Sequence, residues 1–157
     1  MNGDRVERYC LGFMFDQEFR SVLLIRKARP AWQRGRLNGV GGHLDPGESA
    51  LEAMVREFRE EAGLVTAREQ WREKLVFWGA GIDGRDWIVT TFVTTGRIDH
   101  ARGSLEEPLV VVPARLLPPD VISNLRWIIP LLTDQDTRFA TVTVNDGLVP
   151  TEERVAR

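Results

Sequence analysis

Short runs of hydrophobic residues, separated by polar turns, predict that most of this chain forms strands. Residues 9–15 and 21–25 are two such runs with a polar turn between them, which is the pattern of a β-hairpin. Residues 74–82 and 87–98 are rich in Val, Phe, Trp and Thr and flank the turn Gly-Arg-Asp. They predict a second hairpin, which we place at the centre of a mixed sheet. Residues 139–144 alternate as a last strand.

Between residues 49 and 63 the apolar residues recur at the spacing of an α-helix. Ser49 and Glu52 form the S-x-x-E pattern of a capping box, and Gly63 is placed to end the helix. The apolar residues between these ends recur every three or four positions and predict one buried face: Leu51, Met54, Val55, Phe58 and Ala62. The other face is left for polar side chains.

The remaining elements are a short strand at 109–112 and a second helix at 120–132, with Pro130 near its end. The polar tail, 145–157, is predicted to be mobile or to contact another copy. Strands on both sides of one helix, with a second helix late in the chain, predict an α/β (α+β) sandwich. The length of 157 residues fits a single domain, 1–157.

Composition narrows the class of protein. A net charge of −2 gives no sign of affinity for nucleic acid or for membranes. The single cysteine, Cys10, cannot form an internal disulfide, and it lies in an apolar run that predicts an inert core thiol. The first nine residues are charged, and no run approaches the roughly 18 apolar residues of a membrane span. We therefore expect a cytoplasmic protein with no signal peptide.

Three carboxylates share one side of the first helix. Glu57, Glu60 and Glu61 are spaced i, i+3, i+4, so they lie on adjacent turns of the same face. Like charges this close repel, which indicates that a cation offsets them. Hard oxygen ligands suit Mg²⁺, or alternatively Mn²⁺. The sequence thus predicts a divalent metal site on this helix.

A basic segment, residues 26–36, precedes the helix with five cationic residues and no acid. It has two interpretations, a solvated loop or a basic lip beside the acidic helix. In the second, Arg26, Lys27 or Arg36 would meet the charge of a metal-bound polyphosphate. Three aromatic residues in the predicted central hairpin are also open to two interpretations, stacking on a base or filling the core: Trp78, Trp87 and Phe92.

The helix and its flanks resemble the Nudix hydrolase signature. Every fixed position of that signature is matched, by Gly42, Glu48, Arg56, Glu57, Phe58, Glu60, Glu61, Gly63 and Leu64. Phe58 is the one soft departure, since an aliphatic residue is more common there. The resemblance implies the Nudix fold, a mixed sheet between helices with the signature as a loop-helix-loop, and hydrolysis of a phosphoanhydride bond.

The resemblance also implies roles for individual residues. Glu57, Glu60 and Glu61 would be metal ligands, joined by the backbone carbonyl of Gly41. Arg56, four residues before Glu60, would hold a carboxylate in place. Gly42 would support the site, and Glu48 would either do the same or bind a further ion. Glu107 falls where the family often has a further glutamate, and one of these acids would take the proton from water, so the catalytic candidates are Glu57, Glu60, Arg56 and Glu107.

Within the family, residues 35–48 are similar to the eukaryotic enzymes that hydrolyse oxidised purine nucleoside triphosphates. Carried over, the substrate-binding positions are Arg26, Lys27, Trp32, Asn38 and Asn124. The adjacent aspartates that read the purine in those enzymes fall on Asn124 and Leu125, or on Ser123 and Asn124 in the other register. Neither register supplies a carboxylate, so the resemblance does not extend to the purine-reading pair.

Three functions follow from the resemblance. The favoured one is a Mg²⁺-dependent nucleoside triphosphate pyrophosphohydrolase, on plain or modified nucleotides. The alternative is hydrolysis of ADP-ribose, a nucleoside diphosphate sugar or a dinucleotide. The third is a Nudix-like module that senses a nucleotide without catalysis. In each case the partner is a small nucleotide, and the protein is a monomer or a homodimer.

Overall fold

The computed structural model describes residues 6–81 and 83–157. The end of the predicted 74–82 strand falls on Ile82, which lies outside the described residues. Within them the chain forms nine strands and two α-helices. In chain order these are β1 (Val6–Phe15), β2 (Ser21–Arg26), β3 (Leu37–Asn38), β4 (Val40–His43), α1 (Ala50–Ala62), β5 (Arg72–Ala80), β6 (Asp86–Thr95), β7 (Leu109–Pro113), α2 (Leu125–Thr133), β8 (Phe139–Val144) and β9 (Pro150–Ala156). No helix in the two described ranges is long and apolar enough to cross a membrane.

The strands make one mixed sheet. Its order is β3-β2-β1-β6-β5-β8-β9, with β4 also paired to β1 and β7 to β2. The β1–β6 and β5–β8 pairs are parallel, and the other pairs are antiparallel. Both predicted hairpins, β1–β2 and β5–β6, are therefore confirmed, and the second lies at the centre of the sheet.

A hydrophobic core covers each face of the sheet. The larger core packs α2 against β1, β5 and β8, through residues such as Phe13, Leu75 and Val142. The smaller core packs α1 against Cys10 and Phe92. The sheet thus lies between helices, which confirms the predicted sandwich. Burial raises the pKa of the Cys10 thiol to about 12, so this buried cysteine is inert as predicted.

The predicted ends of α1 are confirmed. The Ser49 hydroxyl accepts from the Glu52 backbone N–H at 3.2 Å, and the Glu52 carboxylate accepts from the Ser49 N–H at 2.8 Å. Gly63 ends the helix in the left-handed region, at φ 67°. The buried face is broadly as predicted, with Leu51 and Val55 half-buried. Ala53 is buried in addition.

The start of α2 was predicted too early. The helix begins at Leu125 and not at residue 120, because the preceding segment pairs with β3 instead. The Leu37 N–H donates to the Asp120 carbonyl, and the Ile122 N–H donates to the Leu37 carbonyl, both at 2.9 Å. Backbone groups used in this way cannot also form the first turn of a helix.

The expectation of a mobile tail at 145–157 was also wrong. Residues Pro150–Ala156 form β9, which pairs antiparallel with β8. The chain reverses at Asn145, whose side-chain oxygen accepts from the N–H groups of Gly147 and Val149, both at 3.0 Å. Val155 then packs against the larger core. The charged run Glu-Glu-Arg at 152–154 interrupts the hydrophobic pattern, so the sequence did not indicate this strand.

Candidate active site

Arg56 is the centre of the ion-pair network on α1. Its Nε and Nη2 donate to the two carboxylate oxygens of Glu48, at 2.9 and 3.0 Å. Its Nη1 donates to Glu57 at 2.8 Å and approaches Glu60 at 3.4 Å. Because the guanidinium binds both of its oxygens, the pKa of Glu48 is lowered. Arg56 therefore mainly holds Glu48 and Glu57, whereas the sequence had suggested Glu60.

Two of the three helix glutamates face the glycines of β4. The Gly41 N–H donates to Glu61 Oε2 at 3.2 Å. A Cβ on Gly42 would lie 2.7 Å from Glu57 Oε1, and one on Gly41 would collide with the Cys10 carbonyl. A larger residue at Gly42 would push against the Glu57 carboxylate, and one at Gly41 would push β4 away from β1. The glycines thus allow β4 and the acidic face of α1 to come together.

Lys27 lies between two carboxylates. Its Nζ is 3.6 Å from Glu61 Oε1 and 3.2 Å from Glu107 Oε2, and the lysine side chain is only 12% exposed. Glu107 Oε1 also accepts from the Ala28 N–H at 2.9 Å. The structure therefore brings the predicted residues Lys27, Glu61 and Glu107 into one group.

The charge balance in this group differs from one acid to the next. Burial raises the pKa of Glu61 to about 7, although Lys27 opposes the shift, and the neighbouring charges of Glu57 and Glu107 add to it. For Glu107, burial also acts to raise the pKa, but the Ala28 N–H and the Lys27 ammonium together hold it below its usual value. Of these two acids, Glu61 is thus the one whose ionised form is less well stabilised by its surroundings.

The three helix glutamates do not converge on one point. Glu60 is 52% exposed at its side chain, and its carboxylate lies 3.4 Å from Arg56 Nη1. Among residues 6–81 and 83–157, no three His, Cys, Asp or Glu side chains are grouped closely enough to hold a metal ion. In this structure Arg56 and Lys27 supply the positive charge beside Glu57 and Glu61. The carboxylate oxygens of Glu57, Glu60 and Glu61 are nevertheless the hard donors that suit a divalent cation.

The other predicted substrate residues lie in and around the basic segment. Arg26 is held by Asp120 at 2.8 Å and by the Gly35 carbonyl at 2.7 Å, so this segment is not simply a solvated loop. Trp32 is 60% exposed. The Asn38 amide donates to Gln33 Oε1 at 3.0 Å. Asp120 and Gln33 were not predicted from the sequence, and the Arg26–Asp120 pair is 94 residues apart in the chain.

Asn124 lies at the start of α2 and is buried. Its side-chain oxygen has no hydrogen-bond partner among the described residues. The backbone pairing of residue Ile122 with Leu37 places this segment beside β3, which carries Asn38. The structure thus brings the segments of two predicted base-reading residues together.

The aromatic residues of the central hairpin divide between the two faces. Phe92 is buried in the smaller core. Trp87 packs edge-on against Phe77, with ring centroids 5.9 Å apart, in the larger core. Both therefore serve packing. Trp78 is half-buried and belongs to neither core.

Comparison with known proteins identifies the class of protein to which this fold and acidic site belong. A family model described as the NUDIX domain matches residues 7–133, so the chain belongs to this family and is a Nudix hydrolase. Nudix hydrolases generally use divalent metal ions and act on small nucleotide substrates.

Solved structures agree on the fold. The chain is similar to the Mutator MutT protein of Bacillus halodurans, with 24% identity and a TM-score of 0.66 over 95% of this chain and 97% of that one. It is also similar to the MutT NUDIX hydrolase of Burkholderia pseudomallei, with 19% identity and a TM-score of 0.69 over 82% and 99%. A comparison with curated proteins finds no match.

Proposed function

We propose that this Nudix hydrolase is a Mg²⁺-dependent pyrophosphohydrolase of nucleoside triphosphates, in which water attacks a phosphoanhydride bond. The observation that carries the proposal is the half-buried Glu61 carboxylate, which accepts from the Gly41 N–H at 3.2 Å and lies 3.6 Å from Lys27 Nζ. An acid kept in such a place is costly unless a cation or a proton offsets it. The MutT names of the similar structures also support a pyrophosphohydrolase.

The metal-holding residues in this proposal are Glu57, Glu60, Glu61 and the Gly41 carbonyl. When bound, Mg²⁺ or Mn²⁺ neutralises phosphate oxygens and lowers the pKa of a coordinated water. Glu60 is exposed and only loosely held by Arg56, so it can turn toward the other two without breaking a close contact. Arg56 meanwhile keeps Glu57 in place and Glu48 supports Arg56, a positioning role for both.

Lys27 has a second role in the proposal. Its ammonium balances Glu61 and Glu107 in the free protein, and it is positioned to meet a phosphate oxygen once another cation takes over that balance. Arg26, fixed by Asp120, adds positive charge to the same segment. The proton of the attacking water passes to one of the helix glutamates or to Glu107, whose lowered pKa keeps it ionised.

Base recognition is assigned to Trp32, Asn38 and Asn124. Trp32 offers an exposed aromatic face for stacking. The unpaired Asn124 oxygen is a hydrogen-bond acceptor, and a buried polar atom without a partner is costly, so a donor on the substrate would relieve it. An amide here cannot share a proton as two carboxylates do, so we place no oxidised-purine preference on the enzyme. We further propose a cytoplasmic location, where such nucleotides are found.

The test is turnover of a nucleotide panel in the presence of Mg²⁺, with release of phosphate and pyrophosphate measured separately. We expect nucleoside triphosphates to turn over best and to give the monophosphate and pyrophosphate, and we expect chelation with EDTA to abolish turnover. Preference for ADP-ribose, a nucleoside diphosphate sugar or a dinucleotide would replace our substrate assignment with that class. Tight nucleotide binding without turnover would instead indicate a sensing module.

A further inference from the structure

The basic segment, residues 26–36, lies on the surface of the protein. Residues 29–32 and 34–36 are exposed, and no residue of this fully described segment belongs to either hydrophobic core. The segment folds back on itself, because the Lys27 N–H donates to the Arg36 carbonyl at 2.9 Å and the Gly35 N–H donates to the Lys27 carbonyl at 2.8 Å. Its position relative to the rest of the protein therefore depends on polar contacts.

Arg26 joins the far end of this segment to a distant part of the chain. Its Nη1 donates to the Gly35 carbonyl at 2.7 Å and to Asp120 Oδ2 at 2.8 Å. A guanidinium Nη carries two N–H groups, so these two contacts use both of them. Arg26 thus ties the segment to Asp120, and this nitrogen has no N–H left for a phosphate oxygen.

Asp120 lies on the firmly held side of this contact. Its carbonyl accepts from the Leu37 N–H at 2.9 Å, and the next residues, Val121 and Ile122, are buried in the larger core. Asn124 follows on the same stretch of chain and is also buried. The Asp120 carboxylate is therefore fixed relative to Asn124 by backbone pairing and by the core.

Trp32 lies on the loosely held side. It is exposed and belongs to a single turn of 3-10 helix, Ala31–Gln33, whose residues are all exposed or half-buried. The Arg36 N–H donates to the Gln33 carbonyl at 2.9 Å, so this turn is continuous with the end of the segment that Arg26 holds. A shift of the segment would therefore change the separation between Trp32 and Asn124.

We propose that Asp120 is a positioning residue for base recognition, which acts through Arg26 on the segment that carries Trp32. The inference rests on the proposed function, in which Trp32 stacks on the base and Asn124 accepts a hydrogen bond from it. The ion pair holds these two residues at one separation, so less conformational freedom is lost when a nucleotide binds. The carboxylates of α1 are held by other contacts, with Gly41 and Arg56, and do not depend on Asp120.

Steady-state kinetics on nucleoside triphosphates that differ only in the base tests the proposal. Asp120→Ala is expected to raise KM roughly 3- to 10-fold, the effect of losing a half-exposed, charged hydrogen bond. Because the loss weakens ground state and transition state alike, kcat is expected to stay within about two-fold of the wild type. The ratio of kcat/KM between the best and the worst base is expected to narrow. Inorganic tripolyphosphate has no base, so its inhibition constant as a competitor is expected to be unchanged.

A double variant separates a role through Arg26 from direct contact with the substrate. In an Arg26→Gln background, Asp120→Ala is expected to cause no further rise in KM, because the carboxylate acts through Arg26. Glu18→Ala is the matched control, since it also removes a carboxylate that binds an arginine, Arg20, at 2.9 Å, but before the opposite end of β2. It is expected to behave as the wild type does.

Urea unfolding establishes that each variant is folded. Asp120→Asn keeps the volume of the side chain and decides the matter if Asp120→Ala does not fold. An unchanged KM in the Asp120 variants, a fall in kcat in its place, weaker inhibition by tripolyphosphate, or a further rise in KM in the double variant would each overturn the proposal. A wild type that hydrolyses none of these triphosphates would instead remove the proposed function on which it rests.

Discussion

At the scale of single residues, Arg56 holds two carboxylates at once in a geometry that a lysine cannot provide. Its planar guanidinium binds both oxygens of Glu48 and, from the same group, Glu57 at 2.8 Å. A lysine ammonium is a single point charge on a flexible stem and cannot bind Glu48 through two parallel hydrogen bonds. Arg56 therefore fixes the geometry of the acidic site, and its charge alone would not.

Replacing Arg56 by lysine is expected to keep the fold and to lower turnover by roughly 10- to 100-fold, the usual cost of losing a residue that orients a metal ligand. The measurement is steady-state kinetics on the best nucleotide, with Mg²⁺ titrated in each assay. The matched control is Arg59→Lys, an exposed position on the same helix. If Arg56→Lys and Arg59→Lys behaved alike, Arg56 would not be a positioning residue.

The sequence allowed the acids of the site to be predicted, but not their partners. Glu57, Glu60 and Glu61 follow from helical spacing, which is a local property. Lys27 and Glu107 are 80 residues apart and meet because β2 pairs with β7, with the Arg26 N–H donating to the Pro108 carbonyl at 2.9 Å. Periodicity gives no strand register between distant elements, so this pairing could not be predicted.

At the scale of elements, a buried lysine on β5 caps the C-terminal end of α2. Lys74 is fully buried, and its Nζ donates to the carbonyls of Leu132 at 2.8 Å and Asp134 at 2.6 Å. The last carbonyls of a helix have no partner within the helix, and a positive charge there is favourable. The register of β5 shifts between Glu73 and Leu75, and Lys74 lies at this irregularity. The strand thus stabilises the helix that closes the larger core.

Lys74→Met is expected to lower the free energy of unfolding by about 1–3 kcal/mol, because two carbonyls at the end of α2 lose their donor. Burial also lowers the pKa of Lys74, so part of this loss is offset by removal of a desolvated charge. Urea unfolding measures the difference, and Arg72→Met, an exposed change two residues away, is the control. Equal stability of the two variants would show that the lysine does not hold the helix.

The elements that the sequence placed wrongly share one cause. Residues 120–124 have helical spacing, but tertiary pairing with Leu37 overrides it. In β9 the alternation is hidden because Glu152 and Arg154 lie on an exposed side of an edge strand. Both errors arise where a partner strand decides the conformation, and a single chain segment does not show its partner.

At the scale of the whole molecule, the site makes stability depend on pH. The folded pKa of Glu61 is about 7, against an ordinary value of 4.5. Between these values the folded protein binds more protons than the unfolded one, so stability increases as pH falls from about 7 to about 4.5. Arg56 lowers the pKa of Glu48, and Arg26 lowers that of Asp120. The stability that these two ion pairs contribute is therefore lost only at still lower pH.

Metal-free wild type is therefore expected to show a maximum of unfolding free energy on the acid side of neutrality, measured by urea unfolding in EDTA. Glu61→Gln removes the titrating group, so its stability is expected to stay level between pH 7 and pH 5, the range set by the pKa values of Glu61. A wild type that loses stability over the same range would contradict the assignment of a raised pKa to Glu61.

We propose that the helix glutamates beside Gly41 and Gly42 hold a divalent ion, and calorimetric titration of Mg²⁺ into protein with a non-hydrolysable nucleoside triphosphate measures this binding. The wild type is expected to bind Mg²⁺, and Glu60→Gln and Glu61→Gln are each expected to bind it at least about 10-fold more weakly while keeping their volume and fold. Glu69→Gln, an exposed position outside the site, is expected to bind as the wild type does. Wild-type affinity in Glu61→Gln, or no Mg²⁺ binding by the wild type, would show that these glutamates do not hold the ion.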